Sequence, residues 1–267
     1  MFQVLTAALV SIVVTTAPAA AQTSVVSAAP VTFGAWLDDA STLMRGMTNV
    51  SVSVGRWSGL YGGETDGPVF DVTTGVTSRV QLGASVPFYR ARYTDGYTAS
   101  GLGDTYLTAK IQAINPDDHG WGMSVTPLLE ILSDAELADP TLGLQRVNWA
   151  LPVSVQLGAD KTQAFATAGY FSRGATFVGL GISQALSDTV TLTGTITVSH
   201  STKDLSATDL AGLTRTRTDA SGGVSVAFSR RIGFWGSVGR TISTLDQSGA
   251  SFTGSASITF VLGTFKK

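Results

Sequence analysis

The stretch from Val190 to Ser199 reads Val-Thr-Leu-Thr-Gly-Thr-Ile-Thr-Val-Ser, a strict alternation of oily or small residues with hydroxyl-bearing ones. Successive side chains of a β-strand point to opposite faces of a sheet, so this stretch predicts a strand with one oily and one hydroxylated face. The segment near the C-terminus repeats the alternation, its oily or small positions being Phe252, Gly254, Ala256, Ile258 and Phe260. The polar face carries Ser, Thr and Gly with few ions, which favours oily side chains facing lipid and hydroxyl groups enclosing a centre.

Twelve segments show this period of two. They are residues 48–57, 68–76, 79–90, 102–114, 119–132, 144–158, 162–171, 175–186, 189–200, 216–229, 231–243 and 250–263. The number is even, and short connections alternate with longer ones, with one exception at 172–174. This pattern predicts an all-β fold, a closed antiparallel transmembrane β-barrel of about 12 strands in the bacterial outer membrane. A secreted β-sandwich also alternates, but it normally coats its outside with charge and uses shorter strands.

The composition excludes several classes of function. Charged residues make up 13% of the 267 residues, about half the roughly 25% of a typical soluble domain. The net charge of −2 and the lack of a basic block argue against a nucleic-acid partner. The chain has no cysteine, which excludes disulfides, thiol catalysis and Cys-ligated zinc. We predict no cofactor and no metal site.

The N-terminus predicts export. An oily run over residues 4–16 precedes Ala19 and Ala21, which match the small-x-small pattern of signal-peptide cleavage, so residues 1–21 are predicted to be a removed signal peptide. That run is too short for a membrane-spanning helix. Residues 48–267 form the predicted barrel. Residues 22–47 break the pattern and are predicted to form an N-terminal periplasmic segment or a plug in the lumen, with a disordered lead-in as the alternative.

Two prolines and two aspartates carry local expectations. Pro87 and Pro152 lie inside predicted strands, where each removes a ladder hydrogen bond, so we expect a bulge or kink at both. Asp38 and Asp39 are placed to cap and begin a helical turn.

The polar register places a sparse set of side chains inside the barrel, mostly toward the outer mouth. The candidates for the lumen and mouth are Asp71, Tyr89, Asp104, Lys110, Glu130, Arg215 and Arg217. Two interpretations stay open: a ring of charges that selects permeant solutes, or mutually paired charges that fill a narrow lumen.

The oily register carries five polar side chains at the outer ends of strands, where we expect contact with the glycolipid of the outer leaflet. They are Arg56, Arg90, Arg92, Arg240 and His200. Guanidinium groups at head-group depth pair well with phosphates, and snorkelling without a specific partner is the alternative.

His200 also permits a hypothesis of lipid hydrolysis. Its position resembles that in outer-membrane lipid hydrolases, which place a Ser two residues from a His on one strand face. Here Thr202 occupies that place, and Ser199 and Ser201 point to the opposite face. We therefore predict that the protein is not an enzyme.

One region resembles a known group. Residues 75–88 contain Arg79-Val80-Gln81 and end in Val86-Pro87-Phe88, and Gly101-Leu102-Gly103-Asp104 leads into the next strand. This arrangement resembles the outer-membrane proteins named for the meta-cleavage pathway of phenol degradation. Val76 stands where that group has Leu. The resemblance implies a β-barrel that passes small hydrophobic or aromatic compounds.

The sequence thus predicts an outer-membrane channel or uptake protein for small, hydrophobic or aromatic solutes. Its expected partners are outer-membrane lipids and lipopolysaccharide, the barrel-assembly machinery and a small solute of unknown identity. The alternatives are a lipid hydrolase using His200 and a structural or adhesion barrel that acts through its outer loops, above all residues 201–215.

Overall fold

The described residues form one sheet of fourteen strands and a single helical turn. The computed structural model describes residues 37–59, 62–134, 145–159, 161–202, 216–243 and 250–263. The strands are β1 (Thr48–Gly59), β2 (Gly62–Gly75), β3 (Val80–Tyr93), β4 (Thr98–Leu102), β5 (Thr105–Ile114), β6 (Trp121–Val125), β7 (Leu128–Ile131), β8 (Val147–Ala159), β9 (Thr162–Phe171), β10 (Ala175–Ala185), β11 (Val190–Ser201), β12 (Thr216–Ala227), β13 (Ile232–Ser243) and β14 (Ala250–Leu262); the helix is α1 (Pro116–His119).

The sheet closes on itself because the first and last strands pair. β1 lies antiparallel to β14, from Thr48 opposite Leu262 to Ser58 opposite Phe252. Two positions around the barrel are each filled by two short strands: β4 and β5 both pair with β3, and β6 and β7 both pair with β8. Fourteen strands therefore make twelve positions, and the predicted 12-strand antiparallel barrel is confirmed.

Oily side chains cover the outside of the barrel, as the alternation predicts. In β10 and β11 the exposed side chains include Leu180, Ile182, Leu192, Ile196 and Val198, whereas polar side chains such as Ser124, Ser154 and Thr167 are fully buried on the inner face. No second sheet covers the oily face within the described part of the chain. This arrangement excludes the β-sandwich.

Two of the predicted outer loops are largely strand. β2 begins at Gly62 instead of residue 68, and the predicted loop 91–101 is a hairpin that joins β3 to β4. This added part of β2 carries Glu64 and Asp66. A strand tolerates them there because both pair in register with residues of the inner face. The register shifts between Asp66 and Val69, at the position of Gly67-Pro68.

The irregularities expected at the two prolines lie on the neighbouring strands. Pro87 stands in β3 where its neighbour is interrupted between β4 and β5, and Pro152 stands in β8 where its neighbour is interrupted between β6 and β7. Each proline still accepts one hydrogen bond across the gap, from Gly103 N–H (2.8 Å) and Thr126 N–H (2.9 Å). Proline donates no N–H, so the ladder loses a bond at these points and the partner strand breaks.

The predicted signal peptide lies outside the described residues, and its cleavage stays a prediction. Within the described ranges, no helix is both long and oily enough to cross a bilayer.

An arginine introduced on the oily face tests this orientation. Leu180 is 56% exposed at mid-strand in β10, and Ile242 is 50% exposed near the outer end of β13. We expect Leu180→Arg to lower the free energy of unfolding by about 2–4 kcal/mol and Ile242→Arg by about 1 kcal/mol or less, because the cost of the cation falls with distance from the bilayer centre. Denaturant titration of tryptophan fluorescence in phospholipid vesicles measures both. Equal losses would contradict a lipid-facing oily surface.

Candidate functional site

Residues 37–47, here called the luminal segment, lie inside the periplasmic half of the barrel. Their backbone is held by side chains of the inner wall. Gln156 Oε1 accepts from Ala40 N–H (3.0 Å), Gln81 Oε1 accepts from Leu43 N–H (2.8 Å), and Gln112 Nε2 donates to the Ala40 carbonyl (3.1 Å). Thr167 both accepts from Asp38 N–H and donates to its carbonyl. Four strands, β3, β5, β8 and β9, therefore satisfy the polar groups of the segment.

The segment is not helical, contrary to the expectation for Asp38 and Asp39. Asp39 Oδ1 instead accepts from the N–H of Ser41 two residues on, at 2.9 Å, and from its hydroxyl. An aspartate that bonds its own backbone in this way offers an alternative to the helix, and here the wall supplies the remaining partners.

The buried cation of Lys110 holds the N-terminal end of the luminal segment, at Asp38 and Asp39. Lys110 Nζ lies 2.7 Å from Asp38 Oδ2 and 3.5 Å from Asp39 Oδ1, and the Lys110 side chain is 4% exposed. We call these three side chains the latch. Lys110 and Asp39 are buried, whereas the Asp38 side chain is 46% exposed. Separating the segment from Lys110 would leave the buried ammonium without its negative partners, which is costly, so the latch resists release of the segment.

A second network lies nearer the outer mouth. The buried carboxylate of Glu130 accepts from Tyr106 Oη at 3.2 Å, and its other oxygen lies 3.5 Å from Arg173 Nη1. Asp104, between β4 and β5, accepts from Ser133 N–H at 2.8 Å. These contacts join the interrupted strands to the turn between β9 and β10.

A third polar cluster lies across the lumen. Arg217 Nε is 2.9 Å from Asp219 Oδ2, and Thr241 Oγ1 donates to the other oxygen of Asp219 at 2.6 Å. Beside it lies a cavity of about 80 Å³. Its lining contains both oily and polar side chains, and the luminal segment contributes Leu37; the lining includes Leu37, Phe171, Phe177, Thr197, Arg217 and Asp219.

The other predicted lumen candidates are placed as follows. Asp71 lies in β2 and accepts weakly from Ser53 Oγ at 3.4 Å. Tyr89 lies in β3 opposite Asp66 of β2 and Gly101 of β4. Arg215 lies outside the described residues. The structure therefore places Glu130 and Asp104 in one network and Lys110 and Arg217 in two others, and it does not bring the set together in a single ring.

The five predicted glycolipid contacts all lie on the exposed outer face. His200 Nδ1 lies 2.8 Å from Thr216 Oγ1 on the neighbouring strand. Ser199 lines the cavity in the lumen, on the opposite side of the wall from the imidazole. The imidazole therefore faces a threonine hydroxyl, and no described serine takes the place of a nucleophile beside it.

Sequence reasoning missed several members of these networks. Asp38 and Asp39 were assigned to a helix cap, Arg173 to a short turn, and Tyr106 was not singled out. One signal was available: Lys110 is a cation on the inner register with no acidic residue directly across from it in the predicted strands. A buried cation requires a partner, and acids outside the predicted strands, such as Asp38 and Asp39, were therefore candidates.

Comparison with known proteins establishes the fold. No protein-family model and no curated sequence matches the chain. Among solved structures, the COG4313 outer membrane channel from Pseudomonas putida F1 superposes with a TM-score of 0.62 at 15% identity, covering 84% of this chain and 98% of that one.

Two porins are also similar. NanC porin has a TM-score of 0.55 at 12% identity and KdgM porin has 0.53 at 8%, and they cover 81% and 82% of this chain and 100% and 99% of their own. The chain thus has the fold of bacterial outer-membrane barrels, and its oily exterior fits that location.

Removing the cation of the latch tests whether it holds the luminal segment. We expect Lys110→Met to speed amide hydrogen exchange in residues 37–47 by about tenfold or more, because the two aspartates lose the charge that holds them against β5. Hydrogen exchange followed by mass spectrometry measures this peptide directly.

The matched control is Arg146→Met, which breaks the exposed ion pair with Asp134 (2.6 Å) and leaves the lumen unchanged. Exchange in residues 37–47 that is the same in Lys110→Met and wild type would show that the latch does not hold the segment.

Proposed function

We propose that the protein is an outer-membrane uptake channel for small solutes and that the luminal segment is its gate. The observation that carries the proposal is the placement of residues 37–47 inside the barrel, held mainly by polar bonds and one ion-pair cluster. When the segment moves, hydrogen bonds to water can replace polar contacts of this kind, whereas water cannot replace the contacts of a packed oily core. The barrel fold shared with a channel and two porins is consistent with this proposal.

The route for a solute follows from the position of the segment. The outer half of the lumen has polar and aromatic walls, and the periplasmic half is crossed by the segment between Leu37 and the start of β1. A solute that enters from outside must therefore pass the latch. Release of Asp38 and Asp39 from Lys110 would widen this half and leave the glutamines of the wall to line the path.

The cavity above the segment supports small solutes with an apolar body and a polar group. Phe171, Phe177 and Leu37 line it together with Arg217 and Asp219. Its volume of about 80 Å³ is about half the roughly 150 Å³ of an engineered cavity that binds benzene, so a solute with one ring is the largest that this site would take and would have to displace its lining side chains. The resemblance to the meta-cleavage group favours the same class, small hydrophobic or aromatic compounds.

A disulfide that ties the segment to the wall tests the gate. The Cβ of Ala40 lies 3.2 Å from the position that a Cβ on Gly122 of β6 would occupy, somewhat shorter than the roughly 3.5–4.5 Å of a disulfide. The Pro116 ring lies 2.8 Å from that position, so the loop that carries Pro116 must shift slightly to admit the cysteine. Because the chain has no cysteine, Ala40→Cys with Gly122→Cys gives one defined pair. We expect the oxidised protein to conduct several-fold less than the same protein after reduction, measured by single-channel recording in planar bilayers.

Each single-cysteine variant serves as the control, since it carries the same side chain without the bond. Equal conductance before and after reduction of the pair would rule out movement of the segment as the gate. If neither form conducts and neither passes solutes into liposomes, the channel itself is refuted.

The aromatic wall of the cavity gives a test of solute class. We expect benzoate to block single-channel current and Phe177→Leu to weaken that block by about two- to tenfold, the equivalent of 0.5–1.5 kcal/mol for one aromatic contact. Acetate, which has the same carboxylate and no ring, should show no difference between the two proteins. Phe165→Leu is the matched control, because this ring lies over Gly181 and does not line the cavity.

A further inference from the structure

Four arginines lie together on one side of the outer face, an arrangement that their separation in sequence does not reveal. The pairing register aligns Gly239, Thr253, Trp57, Glu64 and Ala91 in one row across β13, β14, β1, β2 and β3. Each arginine is one residue from that row. Arg56 and Arg90 lie just below it, toward the periplasm, and Arg92 and Arg240 lie just above it. Five adjacent strands therefore bring four cations, here called the arginine patch, close to one row of the sheet.

The spacing within the patch is that of a lipid head group. Arg56 and Arg90 both lie beside Thr65 of β2, and Arg56 Nη1 donates to Thr65 Oγ1 at 3.3 Å. Two strand spacings separate the two arginines, about 10 Å, and the whole patch spans about 19 Å. A diphosphorylated glycolipid can contact two of these cations at once, one with each phosphate. Each phosphate accepts two parallel hydrogen bonds from one guanidinium.

The patch lies where the oily surface ends. Two residues on the periplasmic side of Arg56, Arg90 and Arg240 come exposed oily side chains, which are Val54, Phe88 and Val238. An acyl chain can therefore lie against the barrel directly below each cation. Because the cost of arginine is small only near the interface, these positions define head-group depth on this side.

The arginines of the patch differ in their partners from three other described arginines. Arg146, Arg173 and Arg217 pair with Asp134, Glu130 and Asp219. Within the described residues no carboxylate pairs with any arginine of the patch. Glu64 belongs to the same row but to the inner register, so the wall separates its carboxylate from the patch. We propose that the arginine patch is a binding site for the phosphorylated glycolipid of the outer leaflet, whose phosphates supply the missing negative charge.

Native mass spectrometry of the full protein in detergent tests the site with two probes, diphosphorylated lipid A and the same lipid A with both phosphates removed. We expect the phosphorylated form to bind about tenfold or more tightly. The combined variant Arg56→Gln, Arg90→Gln, Arg92→Gln and Arg240→Gln should lose that preference. The four corresponding Lys substitutions should retain part of it, since Lys keeps the charge without the bidentate geometry.

A charge-matched control removes four cations from the periplasmic turns, with Arg79→Gln, Lys161→Gln, Arg230→Gln and Arg231→Gln. It should bind like wild type. Equal affinity of wild type for the two lipids, or an equal loss in the control, would refute the site. Displacement of lipid A by inorganic phosphate alone would show a simple anion site and would also refute it. The single Gln substitutions, each checked for folding by heat-dependent gel migration, report on the site if the combined variant does not assemble.

Discussion

Hydrocarbon offers no hydrogen bonds, and this constraint determines the rest of the structure. Every backbone N–H and C=O within the bilayer must find its partner inside the protein, and a sheet achieves this only when it has no edge. The pairing of β1 with β14 removes the edge. Once the sheet is closed, one face of every strand must contact lipid and the other must enclose the lumen. The alternation of oily and hydroxylated residues along each strand follows from this division into a lipid-facing and a lumen-facing side.

The interior then has to accommodate polar groups in a narrow space. Several described charges of the lumen lie in clusters, Lys110 with two aspartates, Glu130 with Arg173, and Arg217 with Asp219. The first two clusters join elements that are distant in sequence, so they tie the wall to the luminal segment and to a turn, whereas the third lies within β12. The outside shows the opposite arrangement, with arginines that no carboxylate of the described residues pairs with and that lie near the outer end of the oily surface. The same wall therefore carries ions on both faces for different physical reasons.

The parts of this architecture differ in how far the sequence predicts them. The strands, their faces and the closed barrel follow from periodicity, because period two is a local property that Val190 to Ser199 displays on its own. The latch does not follow, since nothing local to Asp38 shows that it will meet Lys110, 72 positions further along. The arginine patch lies between these cases. Each arginine was assignable to the outer face, but only the register of five strands shows that Arg240 and Arg56 are neighbours. The outer start of β2 was predicted at residue 68 and lies at Gly62, and charged residues such as Glu64 and Asp66 do not distinguish the two, because a loop and a lumen-facing strand tolerate them equally.

The seam between β1 and β14 has a consequence for biogenesis. It joins residues about 200 positions apart, so it can form only after nearly the whole chain has been delivered to the membrane. The luminal segment runs straight into β1, through a turn in which Gly46 N–H bonds the carbonyl of Gly75 (2.8 Å). The segment must therefore either lie inside the forming sheet before β14 pairs with β1, or enter the closed barrel afterwards from the periplasm. In the first case the barrel closes around the luminal segment during assembly, so every newly made copy of the protein begins in the closed state.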